Sequence, residues 1–343
     1  MIKNKKIILV DAIYINSGGG KVLLEYLIDY LSKKKIEVFY LFDSRLDLDI
    51  SVKTENSVLN PSESERKNFY KRLNRKDFHS VLCFGNIPPP IKLDTNVYIY
   101  FHNELLLDPL KLNLNFYGKL NFLLKKIYLR YKNHYNYMWI TQTDRVSKKL
   151  NHHMNIKMEK IKSYPFFNSD INTNLDYKKD KTAFIYPANF SNHKNHYKLY
   201  KAFNKIHHKN KVKLYLTLNQ QIFKNSFYSK NDNENVEFIN LGEIPNKDLL
   251  KYFTLSKYLI YPSLNESFGL PLIEAVINDC FIICSEKDYV HEIVKPTLTF
   301  DPNSSKSIAL SINNALNSSL LRKSMLVVEN KIGSFVKYIL RDV

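Results

Sequence analysis

The sequence predicts an α/β fold: two doubly wound, mostly parallel sheets, one in each half of the chain, with a cleft between them. Three observations predict it. Short β-branched runs alternate with longer amphipathic stretches, the pattern of βαβ units. The alternation runs twice, on either side of a polar, Asn/Asp-rich stretch at Tyr164–Lys181 that reads as an interdomain connection. The 343 residues are enough for two cores.

In the first half, KKIILVD (Lys5–Asp11) reads as a strand. GKVLLEYLIDYLSKK (Gly20–Lys34) reads as a helix, because Leu23, Leu24, Leu27, Ile28 and Leu31 share one face at helical spacing. IEVFYLF, SVLCFG (Ser80–Gly85) and NVYIYFH (Asn96–His102) follow as strands, and YMWITQT (Tyr137–Thr143) reads as the last strand of this half. From Lys181 the series restarts: TAFIYPA as a strand, HYKLYKAFNKIHH as a helix, then KVKLYLTL and NVEFINLG as strands. NKDLLKYFTLS is a helix, KYLIYPS a strand, PLIEAVIN a helix and CFIICS a strand.

Composition bounds the function. Hydrophobic residues at 44% and charged residues at 24% are ordinary for a soluble globular chain. No apolar run approaches the roughly 20 residues of a membrane span. The basic start breaks at Asp11, which suits a first strand better than a signal peptide. Cys83, Cys280 and Cys284 form neither a disulfide framework nor a metal-ligand spacing, so a reducing cytoplasm and no metal are expected. A net charge of +18 favours anionic partners: nucleic acid, anionic lipid or phosphorylated substrates. A chain rich in Lys, Asn, Ile and Tyr through biased usage accounts for it as well. A nucleic-acid binder would cluster basic residues with stacking aromatics or carry a known module, and the sequence has neither, so no nucleic acid is expected.

The most informative stretch is PSLNESFGLPLIEA. It follows an apolar strand, and Pro271 suits the first turn of a helix. SLNESFGL is therefore a loop at the carboxyl end of a strand, where doubly wound sheets bind ligands. The N–H groups of Gly269, Leu270 and the first helical turn favour an anion such as phosphate. Glu274, placed by this reading in the first turn, suits ribose or sugar hydroxyls, and Glu266, on the loop, suits a second polyol. Each glutamate alone also has a plain reading, as a helix-dipole partner and a solvated turn residue.

The whole string closely resembles the signature of retaining family 4 glycosyltransferases (glycosyl transferases group 1) of GT-B fold. Two glutamates with seven residues between them enclose a SFGLP loop. NVEFINLGEIPNKDLLKYFTLSKYLIYPS before it, and CFIICSEKDYVHEIV with FDP (Phe300–Pro302) after it, resemble the family's flanking elements. So does FIYPANFSNHKNHYKLYKAF. There the family commonly carries an Arg and, five residues later, a Lys on the donor diphosphate. Lys194 matches the Lys, while Asn189 stands at the Arg position. That departure removes one positive charge, for which His193 or Lys198 are candidate replacements. The resemblance is strong over about 181–302 and weaker before.

The resemblance implies a GT-B architecture of two Rossmann-like domains facing each other across a cleft. The expected division is 1–168 for the acceptor domain, 169–180 for the linker, 181–325 for the sugar-nucleotide domain, and 326–343 for a final helix that can cross back to the first domain. It implies that Glu266 hydrogen-bonds the transferred sugar. The amides of Ser267, Phe268, Gly269 and Leu270 would contact that sugar and the phosphates, Lys194 would meet the diphosphate and Glu274 would bind the ribose. The glycine run DAIYINSGGGK lacks the Ser or Thr of a Walker loop and the spacing of a dinucleotide fingerprint. It reads as a tight turn or, by resemblance, as a loop in which Gly19 and Gly20 face the donor phosphates. His102 ends its strand either as a structural histidine or, as often in the family, near the transferred sugar. Gln142 and Thr143 receive no role. FGNIPPP (Phe84–Pro90) reads as a rigid loop on the acceptor side.

The stretch 118–135 has five Lys and Arg residues, Lys119, Lys125, Lys126, Arg130 and Lys132, and no acid. It reads as a packed helix with a solvated basic face or as a helix lying on an anionic bilayer. The function implied is metal-independent, retaining transfer of a sugar from a nucleotide diphosphate to a glycan or lipid-linked acceptor in bacterial capsule or O-antigen assembly. The enzyme would be cytoplasmic, at the inner membrane face. A non-catalytic sugar-nucleotide or glycan binder of the same fold is the alternative that Asn189 motivates.

Overall fold

The computed structural model describes residues 7–48, 52, 54–73, 78–107, 116–169 and 178–341. The chain divides into two compact units, residues 1–168 with 329–343, and residues 169–328. Most of the linker expected at 169–180 lies outside the described residues.

The first unit runs β1 (Ile8–Ala12), α1 (Gly18–Lys33), β2 (Val38–Asp43), β3 (Asn56–Leu59), α2 (Glu63–Arg72), β4 (Ser80–Cys83) and β5 (Asn96–Phe101). It continues with α3 (Phe116–Lys132), β6 (Met138–Thr141), α4 (Asp144–Met154) and β7 (Ile161–Ser163). The seven strands form one parallel sheet in the order β3-β2-β1-β4-β5-β6-β7. The order reverses between β1 and β4, which opens a crevice at the carboxyl ends of those strands. Leu23, Leu24, Leu27, Ile28 and Leu31 are the buried residues of α1, as the periodicity predicts.

Two strands of this unit escape the sequence reading. Tyr137–Thr143 does not hold the last strand of this unit, since β7 pairs alongside β6. At three residues β7 is too short to show a period. The edge strand β3 alternates exposed and half-buried residues and has no apolar run.

The second unit runs β8 (Asp180–Tyr186), α5 (His196–Phe203), β9 (Val212–Leu216), α6 (Gln220–Asn225), β10 (Val236–Asn240), α7 (Asn246–Leu255), β11 (Ser256–Tyr261) and α8 (Leu270–Ile277). β12 (Phe281–Ser285), α9 (Asp288–His291), β13 (Val294–Lys295), β14 (Leu298–Phe300), α10 (Ser305–Asn317) and β15 (Met325–Leu326) follow. Its six-stranded parallel sheet has the order β10-β9-β8-β11-β12-β14, with the reversal between β8 and β11. The last four residues of β8 (AFIY) and of β11 (YLIY) are continuous buried apolar runs because both faces of a parallel sheet are covered.

The last helix, α11 (Ile332–Ile339), belongs to the first unit. Phe335 stacks on Phe166 at 5.3 Å and meets Tyr100 at 5.7 Å. The backbone N–H of Lys331 donates to the Pro165 carbonyl, and Asn330 Nδ2 donates to the Phe167 carbonyl.

Helix α3 is not an ordinary packed helix. Leu129 is its one fully buried residue, while Leu120, Leu123, Leu124 and Ile127 are all exposed. No helix among the described residues is long and apolar enough to cross a membrane.

Candidate active site

In the second unit, the loops after β8 and β11 flank the topological switch point. The loop after β8 passes through a short 3-10 turn, Asn192–Lys194, and Asn195 then takes a left-handed φ of 60° to start α5. The two loops are stitched together. The Leu264 amide donates to the His193 carbonyl at 2.7 Å, and Asn195 Nδ2 donates to the carbonyls of Pro262 (3.2 Å) and Pro302 (2.8 Å). The Tyr186 hydroxyl donates to the Lys194 carbonyl at 2.5 Å, and that of Tyr289 to the Ser263 carbonyl at 2.9 Å.

This stitching brings Lys194 to Glu266, 72 residues away. Lys194 Nζ lies 2.6 Å from Glu266 Oε1, with the two side chains only 15% and 12% exposed. The ammonium also stands 5.8 Å from the centre of the buried Tyr261 ring. An ammonium has three donors, so a bond to Glu266 leaves Lys194 able to reach an anion as well.

Gly269 caps α8 with a φ of 87°, a conformation that side chains rarely adopt. It offers no side-chain cap, and Pro271 lies in the first turn. Pro271 has no N–H and the Leu272 amide donates to the Gly269 carbonyl at 2.9 Å, so the Leu270 amide is the leading N–H group of α8 left for an anion. Ser267 is half-buried, as is Leu270. Phe268 is in the core at 4% exposure, so its side chain is closed to a ligand.

Glu274 corrects the sequence reading. It is not in the first turn. Because the glycine cap holds the helix start at Leu270, Glu274 is the fifth helical residue, one turn deeper. It is 7% exposed, and burial pushes its carboxyl up to about 7, opposed by a hydrogen bond from the Asn246 side chain at the start of α7.

Asn189 is exposed, its carbonyl held by the His196 ring at 2.9 Å and its Oδ1 accepting from the Ser191 hydroxyl at 3.4 Å. Burial lowers the His193 imidazole below its ordinary value, with Glu266 opposing, which weighs against a fixed positive charge there. Lys198 lies in α5.

In the first unit, Gly19 and Gly20 form the first turn of α1 with Gly18, after an N-cap Ser17 whose hydroxyl donates to Asn16 Oδ1 and not to the helix. Gly20 lets the helix approach His102. A Cβ there would lie 3.1 Å from His102 Cε1 and 3.3 Å from Ile15 Cδ1. Burial drives the His102 imidazole down to about 4, against a hydrogen bond to the Phe84 carbonyl, so it is neutral at pH 7.

Asn86 organises this corner, and sequence reasoning noted only the FGNIPPP loop that contains it. With a left-handed φ of 68°, its Oδ1 accepts from the amides of His102 (2.7 Å) and Asn103 (3.0 Å), and its Nδ2 lies 3.2 Å from His102 Nε2. The loop is clamped from below by Arg66, which donates to Asp11 (2.8 Å) and to the carbonyls of Pro88 (2.8 Å) and Ile87 (3.2 Å). Asn86→Ala is expected to destabilise the first unit by about 2–3 kcal/mol, since it orphans two amides and forces a left-handed alanine. Asn86→Gly, which relieves only the backbone cost, should recover about 1 kcal/mol of that in chemical denaturation.

Glu104 is a further buried acid that the sequence did not flag. Arg145 Nη1 meets its carboxylate at 2.6 Å and Lys149 also pairs with it, which makes it a structural ion cluster beside α4. Gln142 is buried, and Thr143 caps α4 through the Val146 amide. No group of three or more His, Cys, Asp or Glu side chains that could hold a metal occurs among the described residues.

Residues 169–327 match the family model described as glycosyl transferases group 1. O-antigen chain mannosyltransferase B of Escherichia coli is 34% identical over 77 residues, 22% of this chain. That match spans only 20% of the relative's own length. Among solved structures, WaaG, a glycosyltransferase involved in lipopolysaccharide biosynthesis, superposes with a TM-score of 0.67 at 14% identity, covering 91% of both chains. Anabaena HepE in complex with UDP-glucose superposes at 0.64 and 13% identity, over 91% of this chain and 90% of that one. The architecture of two parallel-sheet, Rossmann-like units is thus the one found in GT-B glycosyltransferase structures.

Proposed function

We propose, from the group 1 match over 169–327, that this chain is a retaining, metal-independent glycosyltransferase. It moves a sugar from a nucleotide diphosphate to a glycan or lipid-linked acceptor in bacterial surface polysaccharide assembly. The observation that carries the reading is the pairing of Lys194 with Glu266 beside the uncapped start of α8, with Glu274 buried one turn along. A cation and helix amides suit a diphosphate, and two carboxylates suit the hydroxyls of a sugar and a ribose. The HepE complex with UDP-glucose supports a sugar nucleotide as the donor class.

In this reading Lys194 and the amides of Ser267–Leu270 stabilise the leaving diphosphate. The bond from the anomeric carbon to the phosphate oxygen breaks while the acceptor hydroxyl bonds from the same face. Its proton passes to the departing phosphate. Glu266 holds the sugar in place, Glu274 the ribose. Gly19 and Gly20 are assigned to the donor phosphates and His102, neutral through burial, to the sugar as a hydrogen-bonding group. The basic stretch 118–135 is assigned to an anionic membrane surface, which places the enzyme at the inner face of the cytoplasmic membrane.

A panel of UDP-, GDP-, ADP- and CMP-sugars in a thermal-shift assay tests the donor class, because a ligand bound only by the native state raises apparent stability. At least one nucleoside diphosphate sugar should raise the melting temperature by several degrees. No shift with any of them would remove the proposal. The exposed Asn189, where the family commonly has an arginine, favours a second reading: a binder that holds the donor without turnover. A melting shift without any donor consumption would select it.

A further inference from the structure

Three buried tyrosines crowd the switch point of the second unit: Tyr186 at the end of β8, Tyr261 at the end of β11 and Tyr289 in α9. The Tyr261 ring lies 6.0 Å from that of Tyr186 and 6.4 Å from that of Tyr289. Two of the three hydroxyls are bonded, Tyr186 to the Lys194 carbonyl and Tyr289 to the Ser263 carbonyl. The Tyr261 hydroxyl has no hydrogen-bond partner among the described residues, and its oxygen is closed to solvent. Such a group is costly to bury, because it gives up bonds to water and gains none. Its surroundings are charged. The Lys194 ammonium stands 5.8 Å from the Tyr261 ring centre, and a Cβ on Gly269 would lie 3.8 Å from the hydroxyl. Burial holds the phenol well above its ordinary value, and the charge of the nearby Glu266 carboxylate raises it further, so the hydroxyl keeps its proton and serves as a donor.

We propose that Tyr261 is a positioning residue for Glu266: when the Lys194 ammonium turns from Glu266 to the diphosphate of a nucleotide, the Tyr261 hydroxyl donates to the carboxylate in its place. The inference rests on the reading of Lys194 as the diphosphate contact and adds to it the group that replaces Lys194. The free protein does not need this bond, since Lys194 Nζ sits 2.6 Å from Glu266 Oε1. Both side chains of that pair are largely buried, so a carboxylate that loses its cation there is poorly compensated. An unbonded hydroxyl beside it is a donor held in reserve. Because that hydroxyl is closed to solvent, it acts on the ligand through Glu266 and not by contact. Tyr186 and Tyr289 cannot take this part, since their protons are committed to backbone carbonyls that fix the loops after β8 and β11. With nucleotide bound, the new bond keeps Glu266 in place for the sugar hydroxyls.

The test uses the full chain, with UDP, GDP and ADP titrated in turn by calorimetry, and the variant Tyr261→Phe, which removes the hydroxyl and keeps the ring. In the free protein this variant breaks no bond, so its melting temperature should match wild type within about 2 °C or exceed it. The nucleoside diphosphate that binds wild type most tightly should bind Tyr261→Phe at least about fivefold more weakly, through the loss of one hydrogen bond to a charged group. Glu266→Ala has no carboxylate to satisfy, so adding Tyr261→Phe to it should change that affinity less than about twofold. A tyrosine with a structural role alone would lower the melting temperature further, or weaken binding equally in both backgrounds, and either result overturns the proposal. A smaller loss of affinity in Tyr261→Phe overturns it too, and leaves Lys194 and the donor site standing. Binding of none of the three nucleotides to wild type overturns the diphosphate reading of Lys194, and the role of Tyr261 with it.

Discussion

Glu274→Gln is expected to weaken sugar-nucleotide binding about a hundredfold and to abolish its dependence on pH between 6 and 8. A carboxylate that accepts bonds from two ribose hydroxyls contributes charge-assisted bonds, and their loss from a buried site costs about 2–3 kcal/mol. Burial raises the Glu274 carboxyl to about 7, so the free protein carries it as a mixture of protonated and ionised forms near neutrality. The ionised form is the one that accepts two hydroxyls. Wild-type affinity should therefore fall about tenfold from pH 8 to pH 6, as a proton competes with the donor. The diphosphate diester of a sugar nucleotide does not titrate in this window; burial lowers His193 below its ordinary value and takes His196 down to about 4, which keeps His196 neutral across it. For the free protein the sign is opposite. A carboxyl with a raised folded pKa stabilises the fold fully below its unfolded value near 4.5, and this contribution is lost as pH rises through about 7. Donor binding should thus raise the melting temperature more at pH 8 than at pH 6. Titration calorimetry of the best donor at three pH values checks wild type and Glu274→Gln, and a pH-independent wild type would remove Glu274 from the ribose.

Glu266→Ala should retain nucleotide binding within about threefold and lower transfer by at least about a hundredfold, a loss confined to the transition state. Glu266 meets Lys194 at 2.6 Å, so the variant also frees the ammonium from its partner. If Lys194 serves the diphosphate, Glu266→Ala should bind the free nucleoside diphosphate as tightly as wild type or more tightly, while Lys194→Ala binds it at least about tenfold more weakly. Normal turnover in Glu266→Ala would end its assignment to the sugar. Parallel loss of nucleotide affinity in both variants would mean that the pair is structural, a bridge holding the loops after β8 and β11 together.

Much of this was legible in the sequence, for identifiable reasons. Buried parallel strands such as β8 and β11 end in continuous apolar runs, and α1 has an unambiguous 3.6-residue period. The PSLNESFGLPLIEA stretch marked the strand-to-helix loop between β11 and α8, because a strand, a glycine and an early proline leave few other conformations. Depth along α8 was misread, since one turn separates a residue that faces helix amides from one buried against α7, and spacing alone does not fix where a helix begins. The short strands β3 and β7 carried no periodic signal. Asn86, Asn195, Tyr186 and Tyr289 act through contacts between segments distant in sequence, so nothing local announced them. Helix α3 was ambiguous because an amphipathic pattern does not state which face turns inward.

The most direct measurement is proton NMR of the wild-type chain incubated with the donor that gives the largest thermal shift, following the released sugar in the first minutes. The account predicts slow donor hydrolysis without acceptor, yielding nucleoside diphosphate and a sugar whose anomeric proton first appears in the donor's own configuration, with no release by Glu266→Ala. First appearance of the opposite anomer would contradict the retaining mechanism, and a bound donor that is never consumed, with or without acceptor, would contradict the enzyme.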